Sequence, residues 1–128
     1  MLTDSIPIDP KRIQLFEIIG RIDTNSAMQM THTIQKAIMS GRTQLVLDMN
    51  NVEYINSAGL RELVQIFKRV QQAGGILILV NPSEYVRKPL ELVGLDSVFT
   101  IYMDPLWDAS RLTTPSLPAV PRQMCYYA

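Results

Sequence analysis

Glu53-Tyr54-Ile55-Asn56-Ser57-Ala58-Gly59-Leu60 joins an apolar run that reads as a buried strand to a periodic run that reads as a helix. Upstream, Gln44-Leu45-Val46-Leu47-Asp48-Met49 is apolar on both faces, the pattern of a central strand covered on each side. Downstream, Leu60, Leu63, Val64, Phe67 and Val70 recur at helical spacing until Gly74-Gly75 closes the run. Open sheets place their working residues at such junctions, at the carboxyl ends of parallel strands. The Ser57 hydroxyl therefore has two readings. Capping by Asn56 or Ser57 accounts for it alone. Modification is the other reading: a helix start offers unpaired N–H groups and a positive dipole end, which suit an added phosphate. Ala58 and Gly59 are expected to leave the backbone uncrowded for an approaching partner.

Outward from the junction, the same punctuation repeats. Ile6 and Ile8 flank Pro7 as a short edge strand, and Asp9-Pro10-Lys11 turns the chain. Residues 12–19 alternate enough for a strand pairing back as a hairpin, ended by Gly20. Thr24, Asn25 and Ser26 are capping residues ahead of Ala27, Met30, Ile34, Ala37 and Ile38 at helical spacing, with Gly41 as the stop. Ile76-Leu77-Ile78-Leu79-Val80 is a second buried strand. Asn81 is expected to cap, and Pro82 to open, a third helix with Val86, Leu90 and Val93 on one stripe. Pro89 is expected to kink or restart that helix near Lys88. Residues 98–102 read as the last strand.

Strands joined by helices pair in parallel through right-handed crossovers. The expectation is an α/β domain over residues 1–103, a mixed sheet of about five strands with three main helices largely on one side. Beyond Asp104 the apolar period disappears and four prolines fall, so residues 104–128 read as a Pro-rich C-terminal extension. Trp107, Tyr126 and Tyr127 are its candidate docking side chains.

Composition narrows the function. The 128 residues make one ordinary core, and twelve basic residues balance twelve acidic ones. That balance argues against nucleic acid and against a polybasic membrane patch. The apolar stretches are far shorter than the roughly 20 residues of a membrane span. The N-terminus lacks the order of a secretory signal, and the single cysteine, Cys125, has no partner. A cytoplasmic setting follows as the expectation. Catalysis lacks its parts: His32 is the one histidine, Asn56-Ser57-Ala58-Gly59 is not a hydrolase elbow, and nothing places a substrate between Asp48 and Glu53. No enzyme, no metal and no cofactor are expected.

Gly20-Arg21-Ile22-Asp23, Leu45-Val46-Leu47-Asp48, Tyr54-Ile55-Asn56-Ser57-Ala58-Gly59-Leu60 and Gly94-Leu95 with Phe99 fall in an order and spacing that resemble a STAS domain of the anti-sigma factor antagonist type. The resemblance runs from about Ile6 to Tyr102. It implies a partner-switching module that binds a serine kinase doubling as an anti-sigma factor, is phosphorylated at the junction serine, lets go, and is reset by a PPM-type phosphatase. Ser57 takes the phosphoacceptor position; Asn56, Ser57, Ala58, Gly59, Arg61 and Asp23 are the expected partner-binding residues. Asn56 stands where aspartate is common and Ala58 where serine or threonine is frequent. Some members of the family are never phosphorylated, or bind small ligands. A non-phosphorylated scaffold and a small-ligand-sensing domain are the alternatives.

Overall fold

The computed structural model describes residue 9, residues 11–107 and residues 121–127. Along the chain run β1 (Ile13–Ile22), α1 (Thr24–Met39), β2 (Gln44–Ile55), α2 (Ser57–Gln72), β3 (Ile76–Val80) and α3 (Glu84–Leu92). A single 3₁₀ turn (Leu95–Ser97), β4 (Thr100–Tyr102) and β5 (Arg122–Tyr127) follow. The five strands lie in the order β4-β3-β2-β1-β5.

The three helices cover one face of the sheet. Met30 and Ile34 of α1, Leu63, Ile66 and Val70 of α2, and Val86 and Leu90 of α3 are buried there against Phe16, Ile18, Leu45, Leu47, Leu77 and Leu79. The opposite face carries a smaller apolar cluster, Ile13, Leu15, Val46, Ile78 and Val80, with Tyr102 and Trp107 packed on it. Both faces of β2 and β3 are thus buried, which is why those strands read as near-continuous apolar runs.

Every strand pair among the described residues is parallel. The antiparallel element expected at Ile6–Ile8 lies outside the described residues. The edge of β1 along residues 15–20 is taken by β5 from the far end of the chain. That strand was not expected, because Arg-Gln-Met-Cys-Tyr-Tyr has no apolar alternation of its own. Its seat supplies the order. Cys125 is buried, Tyr127 packs against the main core, and Arg122 pairs with Glu17. Burial pushes the Cys125 thiol and the Tyr127 phenol up, so both stay neutral in the seated strand. The docking expected of Tyr127 and Trp107 is found, with the Trp107 indole N–H donating to Asp48 Oδ2 at 3.0 Å.

Two expectations at α3 change. Ser83 occupies the N-cap, and Asn81 sits two residues earlier at φ 46. The Asn81 side chain bridges to Asp104, donating to its carbonyl at 2.8 Å and accepting from its N–H at 2.7 Å. Pro89 lies inside one continuous helix with no restart. The carbonyl that Pro89 leaves without its i+4 donor belongs to Tyr85, an exposed residue.

Candidate functional site: the rim of two helix starts

β1 uses ten residues where β2 uses twelve, with register shifts between Glu17 and Ile19 and between Gly20 and Arg21. These bulges let the two strands end level, Ile22 opposite Ile55, and Asn56 N–H donates to the Ile22 carbonyl at 3.1 Å. α1 and α2 therefore start side by side, about 5 Å apart in the strand-spacing direction. Their positive ends share one rim.

At the α1 start, Asp23 is the N-cap. Its Oδ1 accepts from the N–H groups of Asn25 and Ser26, both at 3.0 Å. The Ser26 hydroxyl answers by accepting from Asp23 N–H at 2.8 Å and donating to the Arg21 carbonyl at 2.7 Å. Ser26 backbone N–H, then its hydroxyl, hold the Asp23 carboxyl below its ordinary range.

At the α2 start, Asn56 is the N-cap and its Oδ1 accepts from Gly59 N–H at 3.0 Å. The open choice between Asn56 and Ser57 as cap is settled: Asn56 caps. Ser57 is the first helical residue, it is exposed, and no partner among the described residues engages its hydroxyl. Arg61, one turn along the same face, is exposed as well.

Gly59 faces the other way. It is buried, and a Cβ there would lie 2.5 Å from Ile55 Cγ1 and 2.9 Å from Ile22 Cγ2. Its place is explained by the crowded ends of β1 and β2, not by an open approach for a partner. Ala58 is half-buried between these extremes.

The rim also holds side chains that the sequence reading passed over. The Arg21 guanidinium stacks 4.3 Å above the Tyr54 ring. Tyr54 in turn walls a groove of about 320 Å³ with Ile55, Tyr85, Lys88 and Pro89, between the end of β2 and α3. The period of the strand foretells that Tyr54 is exposed, since it precedes the buried Ile55. The Arg21 contact is invisible in sequence because it depends on both bulges.

Other candidate groups do not converge on Ser57. Asp48 points to the helix-free face, bonded to Trp107, and lines a polar cavity of about 490 Å³ with Asn81, Ser83, Arg87 and Asp104. Glu53 is exposed, and His32 is exposed roughly 12 Å along α1 from its start. Among the described residues no three His, Cys, Asp or Glu side chains are placed to hold a metal ion, and no helix is long and apolar enough to cross a membrane.

Comparison with known proteins agrees with this architecture. Residues 8–105 match the STAS domain model. BtrV of Bordetella bronchiseptica is 30% identical over 82 residues, 64% of this chain and 71% of that protein. RsfB of Mycobacterium tuberculosis, an anti-sigma-F factor antagonist, is 28% identical over 102 residues, 77% of this chain and 83% of RsfB. Among solved structures, unphosphorylated Bacillus SpoIIAA superposes with a TM-score of 0.62 at 18% identity, covering 83% of this chain and 91% of its own. The phosphorylated form of SpoIIAA gives the same TM-score over 75% of this chain and 86% of its own.

Proposed function

This chain belongs to the STAS domain family, among the relatives of anti-sigma factor antagonists, and from that premise we propose that it is a non-enzymatic, phosphorylation-controlled partner switch. With Ser57 unmodified, the rim built by Asp23, Asn56, Ser57, Ala58 and Arg61 docks a serine kinase that doubles as an anti-sigma factor. Gly59 acts from beneath by letting α2 sit close on Ile22 and Ile55. Phosphorylation of Ser57 releases the partner, and a PPM-type serine phosphatase restores the docking state. A cytoplasmic setting goes with that reading.

The carrying observation is the division of labour at the α2 start. Asn56 satisfies the helix, so the adjacent hydroxyl is exposed with no structural bond to give up. A phosphate there adds about −1.5 to −2 charges near neutral pH. Three features favour that charge within the free protein: the dipole end, the unpaired N–H groups of the first turn, and Arg61 one turn on. Inside a packed interface the same charge, left unmatched, costs several kcal/mol. Since about 1.4 kcal/mol is tenfold in affinity, release is complete on that scale. The fold itself accommodates a phosphate, as a SpoIIAA structure in the phosphorylated form illustrates.

The test is intact-mass and phosphopeptide analysis of the chain purified from its own host, beside Ser57→Ala. The expected result is a single phosphate on Ser57 in wild type and none in the variant. Affinity capture should retain a serine kinase on wild type and lose it on Ser57→Asp. Equal capture by both, with Ser57 never modified, removes the switch and leaves a scaffold. The polar cavity beside Asp48 and Trp107 favours a second reading, ligand sensing, which thermal shift against nucleotides and small metabolites would reveal.

A further inference from the structure

Strand β5 lies beyond the stretch that matches the STAS model, which ends at residue 105. Its seat, however, lies within the shared domain. Gly20, at φ 102, has the Tyr127 carbonyl oxygen 1.9 Å from where a Cβ would stand. Any side chain at position 20 would therefore exclude the end of that strand. Glu17 pairs with Arg122 across the helix-free face. On the helix side Thr33 of α1 lies beside the Tyr127 phenol, and Cys125 fills the sheet–helix seam. Six consecutive residues of β5 keep one register with β1. The Glu17 counter-charge, the filled sheet–helix seam and the Thr33 side thus select a guanidinium, a small apolar side chain and a phenol at the first, fourth and sixth positions of an extended segment, and the notch admits the backbone of the sixth.

The occupant is held less firmly than the seat. Arg122, Gln123, Met124 and Tyr126 are all exposed, so Cys125 and Tyr127 carry the apolar contact. Beneath Gln123 a cavity of about 280 Å³ remains between α1 and the strand, lined by Gln14, Thr33, Lys36 and Ser40. β1, by contrast, buries Ile13, Leu15, Phe16, Ile18 and Ile22 and pairs with β2 from Ile13 to Ile22 with two bulges. Few buried apolar contacts mark the segments that open locally while the rest of the fold holds.

We propose that the outer edge of β1, from Glu17 to the Gly20 notch and flanked by Thr33 of α1, is a strand-binding site for an extended protein segment of the pattern Arg-x-x-small-x-Tyr. The chain's own C-terminal strand is its exchangeable resident. An incoming segment of the same chemistry displaces that strand by strand addition, and an acidic side chain at its second position gains Lys36 across the unfilled cavity. This site is independent of Ser57 and of the switching reading.

The probe is a fluorescein-labelled peptide spanning residues 121–127, titrated by anisotropy into the full chain under reducing conditions. The tethered resident competes at an effective concentration of about 1 mM, so wild type is expected to bind the peptide weakly. Arg122→Ala/Tyr127→Ala in the resident strand is expected to bind it at least tenfold more tightly. Adding Glu17→Lys to that variant should remove the gain, and a peptide with Glu in place of Arg122 should restore it. Amide exchange of wild type gives the second readout. Residues 122–127 are expected to exchange far faster than β2, without global unfolding. A folded resident-strand variant that ignores the peptide, a Glu17→Lys change that the altered peptide does not rescue, or β5 amides that exchange only with the whole domain would each overturn the proposal.

Discussion

At the start of α1, Asp23 and Ser26 close on each other; at the start of α2, one strand over, Asn56 holds a single amide and Ser57 faces solvent. The two junctions share everything coarser than that: a parallel strand, a level ending, a polar cap, a positive helix end. They differ at the third helical residue. In α1 it is Ser26, whose hydroxyl fits beneath the cap and completes a capping box. In α2 it is Gly59, because Ile22 and Ile55 leave no room for a side chain. Position three being closed to a hydroxyl, the serine of α2 stands at position one, outside the capping bonds. Packing below the rim thus decides which serine is structural and which is left for chemistry.

Transplanting the α1 arrangement onto α2 is the harshest way to break this contrast. Gly59→Ser would drive a Cβ into Ile55 and Ile22 and should cost about 1–3 kcal/mol by overpacking, read as a lower midpoint in urea unfolding. Ser26→Ala removes the hydroxyl half of the capping box, with its bonds to Asp23 N–H and to the Arg21 carbonyl, and is expected to cost about 1–2 kcal/mol in the same assay. Asn56→Ala should cost about 1 kcal/mol, whereas Asn56→Asp should lose nothing, since aspartate caps as well and meets the dipole with a charge.

Acid separates the two starts by titration. The Asp23 carboxyl titrates below its ordinary range when folded, so its contribution is complete above the unfolded value near 4 and is lost as pH falls through the depressed folded value. Asn56 has no such transition. Amide exchange at low pH is therefore expected to accelerate at Asn25 and Ser26 before Gly59, and Asp23→Asn should abolish the difference. The smallest stability change belongs to Ser57→Ala, within about 0.5 kcal/mol of wild type. A large loss there would return the Ser57 hydroxyl to a structural role.

How far the sequence reached depended on the range of the interaction. The Val-, Ile- and Leu-rich runs of β2 and β3, the spacing of Leu63 and Val70, and the Gly41 and Gly94 stops are local patterns, and each matches its element. The α2 junction was legible for the same reason, as a cap residue between two periods. Its internal assignment was not, because Asn56 and Ser57 are both competent caps and only the backbone position of Gly59 N–H chooses between them. The role given to Gly59 failed similarly: a glycine's neighbours in space are absent from its neighbours in sequence. At α3, Asn81 was drawn from the cap by Asp104, 23 residues later.

By itself, then, the chain's order of residues determined the α/β alternation, the parallel crossovers and the polar junction at residues 56–57, since periodicity, capping and turn chemistry act within a few residues. Tertiary structure alone decided that Arg21 lies over Tyr54, that Gly59 faces the core, and that Arg122–Tyr127 becomes a strand. These depend on bulges and on an edge supplied by residues as many as 105 positions away, and an extended backbone without a partner edge has no ladder to satisfy its hydrogen bonds.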